Sequence, residues 1–207
     1  MESRERSVKY YLPLGRPAPF GQWRDGFSDA KVRAAIAARV ARLRGGNFSD
    51  SRSVGTGAVE SRIDIGPGYR IYYGIDGDEV ILRWGGDKST LDFDIRTARF
   101  FGRTIRSEQN NMRRNVDYKA DLLADLRDDR AFAAQYLSTA FADSQEAFLV
   151  ALRDVAEARK GIAKVAAQAK VNRENLYRTL SKKGNPTLST VGSVLGVLGL
   201  KVLIVPE

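Results

Sequence analysis

Hydrophobic and polar positions alternate in two parts of the first hundred residues, which predicts β-strands there. The segment SVKYYL, residues 7–12, is rich in strand-forming side chains and predicts one strand. Residues 58–84 predict three more, because turn sequences at 66–68 and 76–77 divide them. Strands joined by such tight turns form an antiparallel sheet.

Apolar residues at helical spacing predict three helices around these strands. A short helical turn is predicted over residues 20–29, and a longer helix runs from a cap at Asp29 to a stop at Gly45 and Gly46. The apolar stripe of the longer helix consists of Val32, Ile36, Val40 and Leu43. A third helix, over residues 90–105, places Leu91, Ile95, Ala98 and Phe101 on one side.

The second half of the chain has helical spacing almost to its end. Residues 106–116 are polar and without periodicity, which predicts a linker. The predicted helices that follow cover residues 117–129, 130–142, 144–160, 162–169, 173–181 and 187–198, and the segment KVLIV, residues 201–205, predicts a short strand. The pattern therefore indicates an α+β part, residues 1–105, followed by an all-α part, residues 117–207.

Composition narrows the function classes. The net charge is +9 and both halves are basic, which favours a polyanionic partner such as nucleic acid over the alternative of a merely soluble basic protein. The chain has no Cys and no His, which excludes disulfides, thiolate and imidazole metal sites and Ser-His-Asp triads. We expect no metal and no cofactor. With no apolar run long enough to span a bilayer, we expect a cytoplasmic protein with no membrane partner.

Two short helices joined by a tight turn, residues 162–181, have the pattern of a DNA-binding helix-turn-helix. Val165, Ala169, Val171, Leu176 and Leu180 would form the inner packing. The residues predicted to face DNA are Lys164, Lys170, Arg173, Glu174, Asn175, Tyr177 and Arg178. The alternative is an ordinary helical hairpin with a solvated face.

Two arginines flank the first tight turn of the predicted sheet. Alternation in the segments ESRIDI and GYRIYY would place Arg62 and Arg70 close together on one face, where two guanidinium groups can hold a phosphate. The alternative is that they only form salt bridges with Glu60, Asp64 or Asp94. Spacing alone leaves both interpretations open.

The segment RWGGDKST, residues 83–90, partly matches a phosphate-binding loop. A Walker A loop requires the order GxxxxGK[ST], which this segment lacks, and Asp87 would repel a phosphate. A strand-to-helix turn capped by Asp87 or Ser89 accounts for the glycines. It leaves Lys88 without an assigned role.

These motifs together resemble a known family. Residues 8–101 resemble the addiction-module killer proteins, HigB-type toxins of the RelE superfamily, through the run LRGGNFSD, the segment GPGYRIYY and the segment GGDKST. Residues 117–203 resemble the partner antidote, a HigA-like helix-turn-helix protein, through DYKADLLADLRDDRAFAAQYLSTAF and the helix-turn-helix segment. These two proteins are normally separate products of one operon, and here they are joined, with Met112 near the start of the second.

The resemblance implies a RelE-like sheet with packed helices and, as its activity, a metal-independent endoribonuclease that cuts mRNA on the ribosome. It implies catalytic roles for Arg62, Arg70 and Lys88. The antidote part would neutralise the toxin by covering the arginine face and would bind operator DNA as a homodimer, repressing transcription. Alternatives are a transcription regulator that carries a catalytically dead toxin-like scaffold, and a nucleic-acid-binding protein without toxin ancestry.

Overall fold

The fold combines an N-terminal sheet with a C-terminal group of helices. The computed structural model describes residues 5–13, 15–107, 116–181 and 184–203, with side chains of the helix at 91–107 described as far as Arg99. The strands are β1 Ser7–Tyr10, β2 Ser51–Gly55, β3 Ala58–Ile63, β4 Tyr69–Asp76, β5 Glu79–Gly86 and β6 Val116–Asp117. The helices are α1 Pro19–Asp25, α2 Ala30–Arg44, α3 Leu91–Ser107, α4 Tyr118–Asp128, α5 Arg130–Asp143, α6 Gln145–Arg159, α7 Ile162–Gln168, α8 Arg173–Thr179 and α9 Leu188–Val197, with a 3-10 turn at Lys88–Thr90 before α3.

The strands form one sheet in the order β2-β3-β4-β5-β1-β6. All neighbouring strands are antiparallel except β1 and β5, which are parallel. The predicted turns are confirmed: Gly66, Gly68 and Gly77 have positive φ angles, which glycine adopts at little cost. Strand β6 pairs with β1, so the chain re-enters the sheet just before the C-terminal helices begin.

Each face of the sheet is covered by a different helix. Ile71 and Tyr73 of β4 and Leu82 of β5 belong to the large core that contains α2. The alternate residue Tyr72 points to the other face, where it packs with Ala98 of α3. The sheet therefore lies between α2 on one side and α3 on the other.

Helix α2 is buried around almost its whole circumference. The predicted stripe of Val32, Ile36, Val40 and Leu43 is confirmed as buried. The sequence did not predict that the alanines at positions 34, 35, 37, 38 and 41 are buried as well. A helix that is apolar on all sides is covered on all sides, and here the second cover is α5 and α6, which share one hydrophobic core with α2 and the sheet.

Ion pairs join the two halves of the chain across this contact. Arg44, at the end of α2, donates to Asp154 of α6 at 2.6 Å, and the hydroxyl of Tyr136 donates to the same carboxylate at 3.1 Å. Arg33 donates to Asp129, and Arg42 to Asp143, each at 3.0 Å; these pairs are more exposed. Basic side chains of α2 thus meet acidic side chains of the C-terminal half.

The structure confirms an α+β sheet part followed by helices and corrects three elements. Strands β2 and β6 were not predicted, since Val116 was assigned to the linker and Asp117 to a helix. Residues 201–203 do not form the predicted strand, while residues 204–205 lie outside the described part. Most of the predicted linker, residues 108–115, also lies outside it. Within the described residues, no helix is long and apolar enough to cross a membrane.

The buried ion pair provides a test of the shared core. Asp154→Asn should lower the free energy of unfolding by about 3 kcal/mol, because the buried guanidinium of Arg44 then loses its nearer counter-charge and keeps only Glu5, at 3.6 Å. Urea unfolding followed by circular dichroism measures this change. The control is Glu157→Gln, which breaks a half-exposed pair with Lys119 and should cost less than about 1 kcal/mol. Equal small losses in both variants would show that the two halves do not depend on the Arg44–Asp154 contact.

Candidate functional site

Arg62 and Arg70 lie directly opposite each other on adjacent antiparallel strands, as the sequence predicts. Arg70 shares its face of the sheet with Tyr72, the face on which α3 packs. We call this the basic face. Its members on β2, β3 and β4 are Arg52, Glu60, Arg62, Arg70 and Tyr72.

Glu60 is the centre of the basic face. It is fully buried, and its carboxylate accepts hydrogen bonds from Arg52 at 3.1 and 3.2 Å and from Arg62 at 3.2 Å. The Nε atom of Arg70 lies 3.6 Å from the same carboxylate, and the hydroxyl of Tyr72 donates to it at 3.5 Å. Burial alone would raise the pKa of Glu60, but the hydrogen bonds from Arg52 and Arg62 and the charge of Arg70 hold it below the ordinary value.

The charges of this cluster do not cancel. Three guanidinium groups surround one carboxylate, so the cluster keeps a net positive charge. The side chains of Arg52 and Arg62 are about half exposed, whereas Arg70 is 8% exposed and donates to the carbonyl of Gly68 at 2.8 Å. Of the salt bridges that the sequence left as an alternative, those with Glu60 are present, and they orient the arginines without neutralising them.

The segment RWGGDKST is a strand end followed by a capped turn. The carboxylate of Asp87 accepts from the hydroxyl of Ser89 at 2.6 Å and from the backbone N–H of Ser89 at 2.7 Å, and these hydrogen bonds lower the pKa of Asp87. Thr90 completes a capping box. Lys88, within this turn, is exposed and makes no ion pair with any residue that the structure describes. Its position beside Gly86, the partner of Arg70 in the sheet, places a free positive charge at the edge of the basic face.

Helix α3 is fixed to the basic face by its first turns. Asp94 accepts from the indole N–H of Trp84 at 2.8 Å and from the hydroxyl of Thr90 at 2.5 Å. It lies against Gly86, where any side chain would overlap the carboxylate. Further along, the guanidinium of Arg99 donates to the carbonyl of Val54. Trp84 is partly buried against α3.

The C-terminal helices do not cover the basic face in the part of the chain that the structure describes. They pack on α2, which lies on the opposite side of the sheet from Arg62 and Arg70. The expected covering of the arginine face by the C-terminal part is therefore wrong, and α3 is the element that lies across that face. The reason is the side of α2 that faces away from the sheet, which is apolar and is buried by the C-terminal helices.

The second predicted site lies on α7 and α8. Val165, Leu176 and Leu180 are buried between these helices as predicted, with Ala169 and Val171 packed at the margin. The predicted contact residues are all exposed: Lys164, Lys170, Arg173, Glu174, Asn175, Tyr177 and Arg178. Their side chains are consequently free to meet an external partner.

The turn between α7 and α8 is stabilised at its end and strained in its middle. Asn172 caps α8 by accepting from the backbone N–H groups of Glu174 at 2.8 Å and Asn175 at 3.2 Å. Lys170 has a φ of 56°, a left-handed conformation that costs a non-glycine residue about 1–2 kcal/mol. Asn175 also accepts from Arg178 at 3.0 Å, which holds both side chains on one face of α8.

The sequence did not identify Arg52 as a site residue, and it identified Glu60 only as an alternative salt-bridge partner. Arg52 lies on β2, a strand whose segment SRSVG has too few apolar residues to be recognised. The alternation that pairs Arg62 with Arg70 also places Glu60 on their face, and this was the available signal. Among the described residues, no group of three or more acidic side chains is arranged to hold a metal ion.

Comparison with known proteins places the C-terminal part among addiction-module proteins. Residues 117–206 match a family described as "Probable addiction module antidote protein". An uncharacterized protein of Haemophilus influenzae is 44% identical over 87 residues, which are 42% of this chain and 88% of that protein. A second uncharacterized protein of the same organism is 44% identical over 59 residues, 28% of this chain and 60% of that protein. No solved structure matches.

The cluster around Glu60 predicts a specific pH dependence. Because the pKa of Glu60 is lowered by folding, its contribution to stability is complete above its ordinary pKa of 4.5 and is lost as the pH falls below that value. Glu60→Gln should lower the free energy of unfolding by about 1–3 kcal/mol at pH 7, since the arginines are partly exposed.

Urea unfolding between about pH 3 and pH 7 measures this effect. The difference between wild type and Glu60→Gln should shrink toward the acid end. Glu79→Gln, which breaks a half-exposed pair with Lys9, serves as the control. A difference that stays constant over the whole range would rule out a charged Glu60 as the centre of the cluster.

Proposed function

The chain belongs, through residues 117–206, to the family of probable addiction module antidote proteins, and on this premise we propose that it is a fused toxin–antitoxin protein. The N-terminal sheet part is the toxin, of the RelE and HigB type, and the C-terminal part neutralises it and binds operator DNA. One observation carries the proposal. A segment of the antidote family is docked, within one chain, on the helix behind a sheet whose other face bears clustered arginines.

The proposed activity is cleavage of mRNA on the ribosome. The ribose 2′-hydroxyl loses its proton to water as its oxygen attacks the adjacent phosphorus, and the bond from phosphorus to the 5′ oxygen of the next nucleotide breaks, which leaves a 2′,3′-cyclic phosphate. Arg62 and Arg70 bind the phosphate oxygens, whose negative charge grows in the transition state. Lys88 stabilises the leaving 5′ oxygen or gives it a proton. These roles need only side chains that lie on or beside the basic face.

Glu60 gives this proposal its geometric basis. A buried carboxylate that binds three guanidinium groups fixes their orientation before RNA arrives, so little side-chain entropy is lost on binding. Because one carboxylate neutralises only one of the three, the cluster still attracts a phosphate.

In this proposal the C-terminal helices neutralise the toxin by adding volume to it rather than by covering its arginines, because they lie on the opposite side of the sheet. The helices packed on α2 enlarge the toxin on the side opposite its arginines, which restricts its approach to an assembly as confined as a ribosomal site. The same helices are covalently attached, so their effective concentration is high.

A second candidate function is that of a transcription regulator with an inactive toxin-like scaffold. One observation favours it: Arg70 is 8% exposed and α3 lies across its face. In that case the protein acts only by binding DNA through the α7–α8 surface.

Growth of cells that express full-length variants separates the two candidates. Asp154→Asn weakens the contact between the halves and should therefore slow growth relative to wild type. Adding Arg70→Ala should restore growth, because removal of one group that stabilises a transition state lowers a rate by about 100-fold. The matched control adds Arg127→Ala, which changes an exposed arginine of α4, and growth should stay slow.

If the Asp154→Asn chain is expressed and folded but growth is unchanged, the toxin assignment fails and the regulator assignment stands. Equal arrest with and without Arg70→Ala would attribute the growth effect to something other than the arginine face.

For the α7–α8 surface we propose binding to operator DNA as a homodimer, with two copies of α8 in successive half-sites. Lys170→Gly should weaken binding to a duplex from the region upstream of the gene and reduce the salt dependence by about one counterion, since one phosphate contact is lost. The same change should raise the free energy of unfolding by about 1 kcal/mol, because glycine adopts the left-handed conformation freely.

Electrophoretic mobility and urea unfolding measure the two effects. Opposite changes in DNA affinity and stability support a DNA contact by Lys170. A gain in stability with unchanged DNA affinity would remove Lys170 from the DNA interface.

A further inference from the structure

Arg83 occupies an irregular position in β5. Tyr72 pairs with Trp84, and the next residue of β4, Tyr73, pairs with Leu82, so Arg83 is the extra residue of a β-bulge. Its guanidinium lies over Gly74 of β4, where even a methyl group would overlap it. Bulges re-aim side chains, and this one directs a guanidinium across the neighbouring strand.

The guanidinium is buried, and the part of the chain that the structure describes gives it no charge partner. Arg83 is 5% exposed, and its Nε and Nη1 atoms are buried and make no hydrogen bond to any described residue. No carboxylate forms an ion pair with it among the described residues. Burial lowers the pKa of Arg83 to about 10, and the nearby hydroxyl of Tyr11 acts in the opposite direction.

Arg44 shows what a structural buried arginine looks like in this protein. It is also 5% exposed, but its guanidinium meets the carboxylates of Asp154 and Glu5. An arginine buried without such partners destabilises the fold, and residues that reduce stability are often retained for a function.

Arg83 lies on the same side of the sheet as the basic face. Arg70, Tyr72 and Gly74 follow one another at alternate positions of β4 and point to one side, and the guanidinium of Arg83 covers Gly74. A chain of phosphates that binds Arg70 would therefore pass along the side of the sheet on which Arg83 lies.

We propose that Arg83 is a binding site for an oxyanion of the phosphate class, and that the phosphate is supplied by the backbone of bound RNA. The anion provides the counter-charge that no described carboxylate supplies to Arg83. That RNA is the source rests on the proposed function; the oxyanion site itself does not. Since Arg83 is almost completely buried, the anion reaches it only when the side chains around the guanidinium move aside.

Thermal unfolding of the full chain separates this role from a structural one. Arg83→Met should raise Tm by about 2–4 °C without added anion, because an unpaired buried charge is removed. The matched variant Arg44→Met should lower Tm. Inorganic phosphate should raise the Tm of wild type more than that of Arg83→Met, whereas a general salt effect would act on both equally.

A second variant covers the case in which Arg83→Met does not fold. Arg83→Lys keeps the charge, so it should gain no stability and keep part of the phosphate-dependent rise in Tm. A lower Tm for Arg83→Met, or a phosphate effect of equal size in wild type and Arg83→Met, would overturn the site. A rise in Tm for Arg83→Lys would also overturn it, because shape rather than charge would then be relieved.

Binding of a fluorescent single-stranded oligoribonucleotide identifies the source of the phosphate. If RNA is the source, Arg83→Met should weaken this binding several-fold. Unchanged RNA affinity together with a lost phosphate effect would assign the site to free phosphate and overturn RNA as its ligand. Neither result bears on the growth test of Arg70, so failure of the site and failure of the proposed function are distinguishable.

Discussion

Burial of α2 on both of its sides is the constraint on which the rest of the structure depends. The sheet covers one side through Ile71, Tyr73 and Leu82, and α5 and α6 cover the alanine-rich remainder. Small side chains let these helices approach closely, and the loss of either cover would expose a large apolar surface to water. The two halves are therefore parts of one core, although one of them matches a family of separate antidote proteins.

Charge gives this apolar contact its specificity. Arginines at the margins of α2 meet Asp129, Asp143 and Asp154 of the C-terminal half. The most buried of these contacts, between Arg44 and Asp154, stabilises the fold only while both partners are present. The arginines on the other side of the sheet differ, because a single buried glutamate orients three of them without cancelling their charge. One set of arginines holds the protein together, and the other remains able to bind an anion.

The sequence predicted what depends on local chemistry. Glycine turns and two-residue alternation were enough to place Arg62 opposite Arg70, and the caps at Asp29 and Asn172 follow from neighbouring residues. The failures depend on tertiary contacts. The short polar strand β2 exists because β3 pairs with it, and the alanines of α2 are buried because distant helices cover them. No local pattern reveals that Arg83 is a bulge residue to which no described carboxylate is paired.

The most direct test of the shared core is whether both halves unfold together. Both tryptophans, Trp23 and Trp84, lie in the N-terminal half, so their fluorescence reports on that half alone, while far-ultraviolet circular dichroism is dominated by the helices of the C-terminal half. In a urea titration of the full chain, the account predicts one transition with the same midpoint by both probes. Two separate midpoints would contradict it, because the halves would then be independent domains and α2 would not depend on its C-terminal cover.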